Sequence, residues 1–429
     1  MKKITFIAIL LLLALISSCT QTSSNKITNK KEYQKYLVSS NNIKLKNQTE
    51  NLLFWENKFK NTPSQYPYLS KIASVNSQLF STTGNIDFLI KAEKSLLELN
   101  KKKETSSSLR ALARNYISQH RFKESLELLK KAEVYGDNLN ATQKMLFDVQ
   151  LELGNYEKAE AYLSSIKQLN DFDYLIRASK WNDTKGNLKT AISLLENALH
   201  IVKSRNDKDL LLWTYTNLGD FYGHNNQIKK SYEFYLKSLE IDPSNAYAKK
   251  GIAWIVYSYE KNPTEALHII SEIQKTNQSP DYYLLASEIE EYRGNNLGKN
   301  YNLQKYLSLI NNEKFGIMYT MYEAEIHADY ETTIDKSIEL ANQEIKSRPT
   351  AKSYDLLAWA TIQKGFKKEA LAIVDKHVKG KTFEPSVLYH IAEIYKANGF
   401  TKEANKLKNE LLEASYELGP LMTLKIQSI

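Results

Sequence analysis

Few residues in this 429-residue chain are spaced to do chemistry. Glu323 and His327 stand one helical turn apart, a spacing that two ligands of a metal ion share with an ordinary ion pair. Two ligands on one helix are only half a site. Asp207 and Asp209 have the alternation with which a calcium loop begins, but the required glycine and distal glutamate are missing. The other histidines are scattered, and no HExxH, GxSxG, phosphate loop or strand-borne GxGxxG occurs. The sequence therefore predicts no catalytic residue, no metal and no enzyme. Cys19, the only cysteine, is the one nucleophile left to explain.

The segment around Cys19 gives it a role. Lys2 and Lys3 precede an apolar run, Ile4 to Ile16, too short to span a bilayer comfortably. The run ends in Ile16-Ser17-Ser18-Cys19, which resembles a bacterial lipobox. That resemblance implies a signal peptide over 1–18, cleavage before Cys19, and acylation of its sulfur and new amine. The only cofactor-like group expected is this covalent lipid. Two or three chains anchor stably at about 0.8 kcal/mol per buried CH₂. Thr20 follows where an inner-membrane retention signal would carry Asp, so the lipoprotein sorting rule favours the outer membrane. Residues 19–48 are rich in Ser, Thr, Asn, Gln and Lys and predict a flexible tether. Lys26, Lys30, Lys31 and Lys35 there either meet anionic headgroups or are simply solvated.

The body of the chain repeats. Tyr354, Leu357, Ala358, Gly365, Ala370 and Val374 return 34 residues later as Leu388, Ile391, Ala392, Gly399, Ala404 and Lys408. That period resembles tetratricopeptide repeats, helix pairs in which small residues let two helices approach and glycine makes the turn. Residues Tyr215, Leu218, Gly219, Tyr222, Ser231, Tyr235 and Pro243 follow the pattern most closely. The resemblance implies an all-α fold, a right-handed superhelical solenoid of about ten helix pairs. A capping helix with Leu53, Trp55 and Phe59 is expected over 49–69. An N-terminal sub-array spans 70–202, a polar hinge 203–211 and a second sub-array 212–416. The tail, 417–429, either folds back as a cap or seeks a partner.

In such solenoids the concave wall is made by the first helix of each pair, and residues there escape the packing role. Arg110, Arg114, Lys144 and Lys180 fall at those positions, as binding cations or as solvated charge. Trp213, Trp254 and Trp359 fall there too, with Tyr257, Tyr259 and Tyr389 nearby. They are aromatic anchors for a partner or seam packing in a chain with 28 tyrosines. The formal charge of +9 is interspersed with acids, and no recognition motif supports a nucleic-acid partner.

The expectation is a lipid-anchored envelope scaffold for a protein or peptide partner, outer membrane favoured. The alternative is a nutrient- or glycan-binding lipoprotein beside an outer-membrane transporter, its aromatics stacking sugars.

Overall fold

The computed structural model describes residues 26–38 and 43–429. The signal peptide, Cys19 and its lipid lie outside them. Two helices come first, α1 (Lys30–Leu37) and α2 (Ile43–Asn61). Ten helix hairpins follow. The first five are α3/α4 (Pro67–Thr83, Ile86–Lys102), α5/α6 (Ser106–Ser118, Phe122–Tyr135), α7/α8 (Leu139–Glu152, Tyr156–Ser165), α9/α10 (Phe172–Thr184, Leu188–Arg205) and α11/α12 (Lys208–His224, Ile228–Ile241). The next five are α13/α14 (Ala246–Trp254, Pro263–Gln274), α15/α16 (Asp281–Tyr292, Asn296–Ile310), α17/α18 (Thr320–Ala328, Ile334–Ser347), α19/α20 (Ala351–Gln363, Lys367–Ile373) and α21/α22 (Pro385–Ala397, Thr401–Glu413). The final helix is α23 (Ser415–Gln427). No strand occurs among the described residues, and the architecture is the expected all-α solenoid of helix pairs.

Small residues set the hairpin geometry. Ala113, Ala191, Ala324 and Ala358 are fully buried where paired helices cross. Serine takes the facing position in several hairpins and adds a bond. The Ser125 hydroxyl donates to the Ala113 carbonyl at 3.0 Å, Ser179 to Ala191 at 2.7 Å, and Ser337 to Ala324 at 2.7 Å. Each bond uses the second lone pair of a helix carbonyl. The turns need a left-handed residue: Gly365 and Gly399 supply it at φ 93° and 85°. Gly251 serves a different end. A Cβ there would lie 2.3 Å from the Tyr235 ring, so only glycine lets Tyr235 reach Asp220, which it meets at 2.5 Å.

The solenoid winds far enough for its second turn to rest on its first. Hairpin tips of the first turn meet the connections between hairpins about 190 to 230 residues on. The Gln278 amide donates to the Thr83 carbonyl at 2.6 Å, Lys314 pairs with Asp87 at 2.5 Å, and Phe315 joins Ile86 and Leu89 in one cluster. Farther along, Lys123 donates to the Lys346 carbonyl at 2.6 Å and Asn226 to that of Glu413 at 3.1 Å.

Three expectations need correction. The described part of the tether is docked: Tyr33 and Leu37 of α1 are buried in the cluster of Tyr232, Tyr257 and Ile269. The backbone amides of Ile27 and Thr28 and the Thr28 hydroxyl all donate to Glu260, at 2.8, 2.6 and 3.0 Å. A carboxylate shielded from water needs such donors, and two apolar residues one turn apart are invisible in a segment-wide average. The polar hinge is absent: α10 continues through Arg205, Asn206 turns at φ 51°, and Asp207 caps α11 by accepting the Leu210 amide at 3.0 Å. The capping helix begins at Ile43, and Leu52 rather than Leu53 packs with Trp55 and Phe59 against Ile72, Val75 and Leu79. Leu53 faces out.

The tail folds back and also reaches across. Ile426 and Met422 cover Leu411, Tyr389 and Ala392, while Tyr416 enters the cluster around Tyr235. Gly419, at φ 80°, breaks the helix between these two anchorages.

Candidate functional site

The first helix of each hairpin lines the concavity, and its charged side chains have different fates along the chain. In the N-terminal hairpins they pair with the next hairpin. Lys144 on α7 meets Asp171 at 2.9 Å and Asp173 at 3.0 Å. Asp148 meets Arg177 on α9 at 2.7 Å, and Glu152 meets Lys180 at 2.8 Å. Burial would raise the Glu152 carboxyl, but Lys180 and Arg348 outweigh it and hold the group below its usual range. Arg110 is 9 % exposed and donates to the Asp137 carbonyl at 2.8 Å and to Thr142 Oγ1 at 3.0 Å. Arg110 and Lys144 are therefore fastenings between hairpins, against their reading as ligand contacts. Adjacent inner helices lie close enough for long side chains one repeat apart to meet. Arg114 differs: it is exposed, has no ion pair among the described residues, and faces a groove of about 550 Å³ with Ser74, Ser77 and Ser107.

The aromatic set divides as well. Trp213 on α11 is 40 % exposed and meets Phe172 edge to face, their ring centres 6.0 Å apart. Trp254 is engaged by the chain's own tail: its Nε1 donates to the Tyr416 carbonyl at 3.1 Å, and its ring lies against Gly419. Trp254 is thus a docking point for α23 and is closed to a partner by it. Tyr257 is fully buried and donates to Glu288 at 3.1 Å. Trp359 stacks on the His390 ring at 4.1 Å, and Tyr389 is 7 % exposed, its hydroxyl pushed up to about 12 by burial.

Trp359, Tyr389 and His390 belong to a cavity of about 360 Å³ on the C-terminal inner wall, roofed by α23. Its other chemistry is acidic: Glu288 from α15, Glu325 from α17 and Asp329 at the end of α17. Glu325 and Asp329 make no side-chain hydrogen bond or ion pair among the described residues. Burial pushes Glu288 up to about 7, the Tyr257 hydroxyl and Lys425 pulling only weakly against it. Burial likewise raises Glu325 and Asp329. Behind them, His390 Nδ1 is 2.7 Å from Asp355 Oδ2. Burial alone would pull His390 down, but the Asp355 carboxylate outweighs it and the ring titrates above its ordinary value. Sequence reasoning passed over these acids. The signal was present, since stepping back from Trp359 by the 34-residue period reaches Glu325 and then Glu291.

Glu323 pairs with Lys336 at 2.5 Å, and His327, whose ring is held below its ordinary titration by burial, lies 3.6 Å from the same carboxylate. Among the described residues, no group of three or more His, Cys, Asp or Glu side chains is placed to hold a metal, and no helix is long and apolar enough to cross a membrane.

Comparison with known proteins bears on the fold. A tetratricopeptide-repeat family model matches residues 214–245, the hairpin around Tyr222 and Tyr235. No curated protein matches the chain's sequence. Among solved structures, the APC/C hetero-tetramer Cut9–Hcn1 aligns with 90% of this chain and 96% of that one, at 16% identity and a TM-score of 0.34. A tetratricopeptide repeat protein from Parabacteroides merdae aligns with 56% of this chain and 91% of its own, at 17% identity and the same TM-score. Neither likeness extends to function. The chain is an all-α solenoid of helix pairs that carries a tetratricopeptide repeat at residues 214–245.

Proposed function

We propose that this protein is a non-enzymatic scaffold, lipid-anchored through Cys19 in a bacterial envelope, whose inner wall holds a protein partner. One observation carries the reading. The N-terminal wall ties most of its charges to neighbouring hairpins, Arg114 excepted, while the C-terminal wall leaves carboxylates and aromatic rings facing an open cavity. Side chains left unpaired in a concave wall are what a partner would complete. The lipobox resemblance supplies the anchor and Thr20 favours the outer membrane. Lys26 stands seven residues after Cys19, at most about 25 Å when extended, so the docked α1 keeps the array near the bilayer.

The glycan alternative needs open ring faces. Trp359 has one face against His390 and Trp254 lies under the tail, which leaves Trp213 alone as a platform. Titration with oligosaccharides is expected to leave the tryptophan fluorescence unchanged.

The test is photo-crosslinking in intact cells, with the crosslinker placed at Trp213 or Trp359 and, as control, at Val134 on the outer surface. The expected result is one envelope protein captured from both inner positions and not from Val134, with Cys19→Ala releasing the complex from membranes. Equal capture from Val134, or salt-resistant membrane binding of Cys19→Ala, would overturn the respective half of the proposal.

A further inference from the structure

The docked α1 sorts its charges by side. The acids around it turn inward. Glu260 takes the donors of Ile27 and Thr28, and Glu265 accepts from Lys30 at 2.7 Å and Tyr33 at 3.0 Å. Glu32 accepts from the Tyr232 hydroxyl at 2.9 Å. Lys30 is thereby a fastening. Lys26, Lys31 and Lys35 are exposed and form no ion pair among the described residues, Lys35 lying over the Tyr36 ring at 4.8 Å from its centre. The elements beneath do not cancel this surplus. On α12, Lys229, Lys230 and Lys237 stand against Glu233 and Glu240. In the α13/α14 turn and α14, Lys261 and Lys275 stand against Glu260, Glu265 and Glu272. These neighbours come out even, whereas residues 26–38 carry four lysines against one glutamate.

The chain leads this same face to the membrane, given the lipid anchor at Cys19, on which this step rests. The bonds of Ile27 and Thr28 to Glu260 fix the point on the array from which the anchor is reached, and α1 is held within about 25 Å of the bilayer. Val38, which caps α1 three residues past Lys35, is 65 % exposed, an apolar side chain suited to the headgroup level. Tyr33 and Leu37 seat α1 on Tyr232 of α12 and Ile269 of α14, the second helices of their hairpins, whereas first helices line the concavity. We infer that α1 forms a membrane-docking surface, with Lys26, Lys31 and Lys35 on anionic phospholipid headgroups and the concave wall opening away from the bilayer.

Lipid and lysines do different work. The lipid limits distance and leaves the array free to turn about its attachment. A lysine at an anionic membrane surface strengthens binding about fivefold, so three acting together favour this face about a hundredfold over an uncharged one.

The experiment uses the acylated full chain in vesicles of phosphatidylcholine with about one-third phosphatidylglycerol and a headgroup-nitroxide lipid as quencher. With Cys19 acylated, a single introduced cysteine takes the fluorescent label. Gln34→Cys places it on the exposed side of α1, and Trp213→Cys on α11, the concave side of the hairpin that α1 rests on. The Gln34 probe is expected to be quenched at least about fivefold more strongly than the Trp213 probe. Lys26→Gln, Lys31→Gln and Lys35→Gln together should bring the two probes level, while the protein still floats with the vesicles and keeps its melting temperature. Vesicles of phosphatidylcholine alone, or about 0.5 M salt, should do the same. Equal quenching of the two probes with the lysines in place overturns the docking surface and leaves the anchor standing, because flotation reports the anchor alone. So does a difference that the triple substitution, salt and loss of phosphatidylglycerol all leave untouched. Failure to float overturns the anchor and this inference with it.

Discussion

The inner walls of the two halves are built from the same kind of helix and treat charge in opposite ways. On α7 and α9, Lys144, Asp148 and Glu152 each find a partner one repeat on. On α15 and α17, Glu288, Glu325 and Asp329 line one cavity without an ion pair among the described residues. Paired charges hold neighbouring hairpins in register, and unpaired ones raise the energy of the empty wall. The first arrangement is suited to keeping shape, the second to gaining something from a guest. Position in the repeat therefore does not decide function, because the same position fastens hairpins in one half and faces a cavity in the other.

Substitutions can break that contrast. The largest effect is expected at Arg110, where alanine removes two bonds from a buried guanidinium and leaves the Asp137 carbonyl and Thr142 without their donor. Urea unfolding should show a loss of roughly 1.5–3 kcal/mol. Next is Glu288→Gln, with the opposite sign. The carboxyl titrates near 7 in the fold against an ordinary 4.5. Its favourable contribution is whole below about pH 4.5 and disappears as pH rises through 7. Glutamine should therefore stabilise the protein by roughly 1–2 kcal/mol at pH 8 and make no difference near pH 4, read as melting temperature against pH. A destabilised Glu288→Gln at pH 8 would erase the distinction between the walls. The smallest effect is expected for Lys180→Ala, since that pair is half exposed to water. Less than about 1 kcal/mol should be lost, and a larger value would mean that the N-terminal fastening is stronger than its exposure suggests.

Much of this architecture is legible in the sequence because it is periodic. Ala113, Ala358 and Gly365 recur with the repeat and mark hairpin crossings and turns, as does the tetratricopeptide match at 214–245. What escapes is aperiodic. The bond from Gln278 to Thr83 joins a connection between hairpins to a hairpin tip, positions that share no phase in the repeat. The seating of Tyr33 in the central cluster turns on a few residues within a polar segment. The site residues were misread for a further reason. Arg110 and Lys144 look like free cations because their partners, Asp137 and Asp171, lie one repeat away. Glu325 looks like a solvated surface acid, because a one-dimensional reading cannot show that it lines a cavity where burial raises its carboxyl. Trp254 fits the groove pattern, but its place there is taken by Tyr416 and Gly419 from 162 or more residues on.

The contacts between successive superhelical turns have a thermodynamic consequence. An extended repeat array behaves as a linear chain of nearest-neighbour units, able to fray from its ends one hairpin at a time. Here the tip at Thr83 is clamped to Asn277 and Gln278, the Asn226 turn is tied to Glu413, and α1 is buttoned to Glu260. Each terminal segment is thus held by the middle of the molecule. Opening either end strips surface from hairpins five or six repeats distant, so the array should melt in one cooperative step and slow amide exchange should extend to both ends.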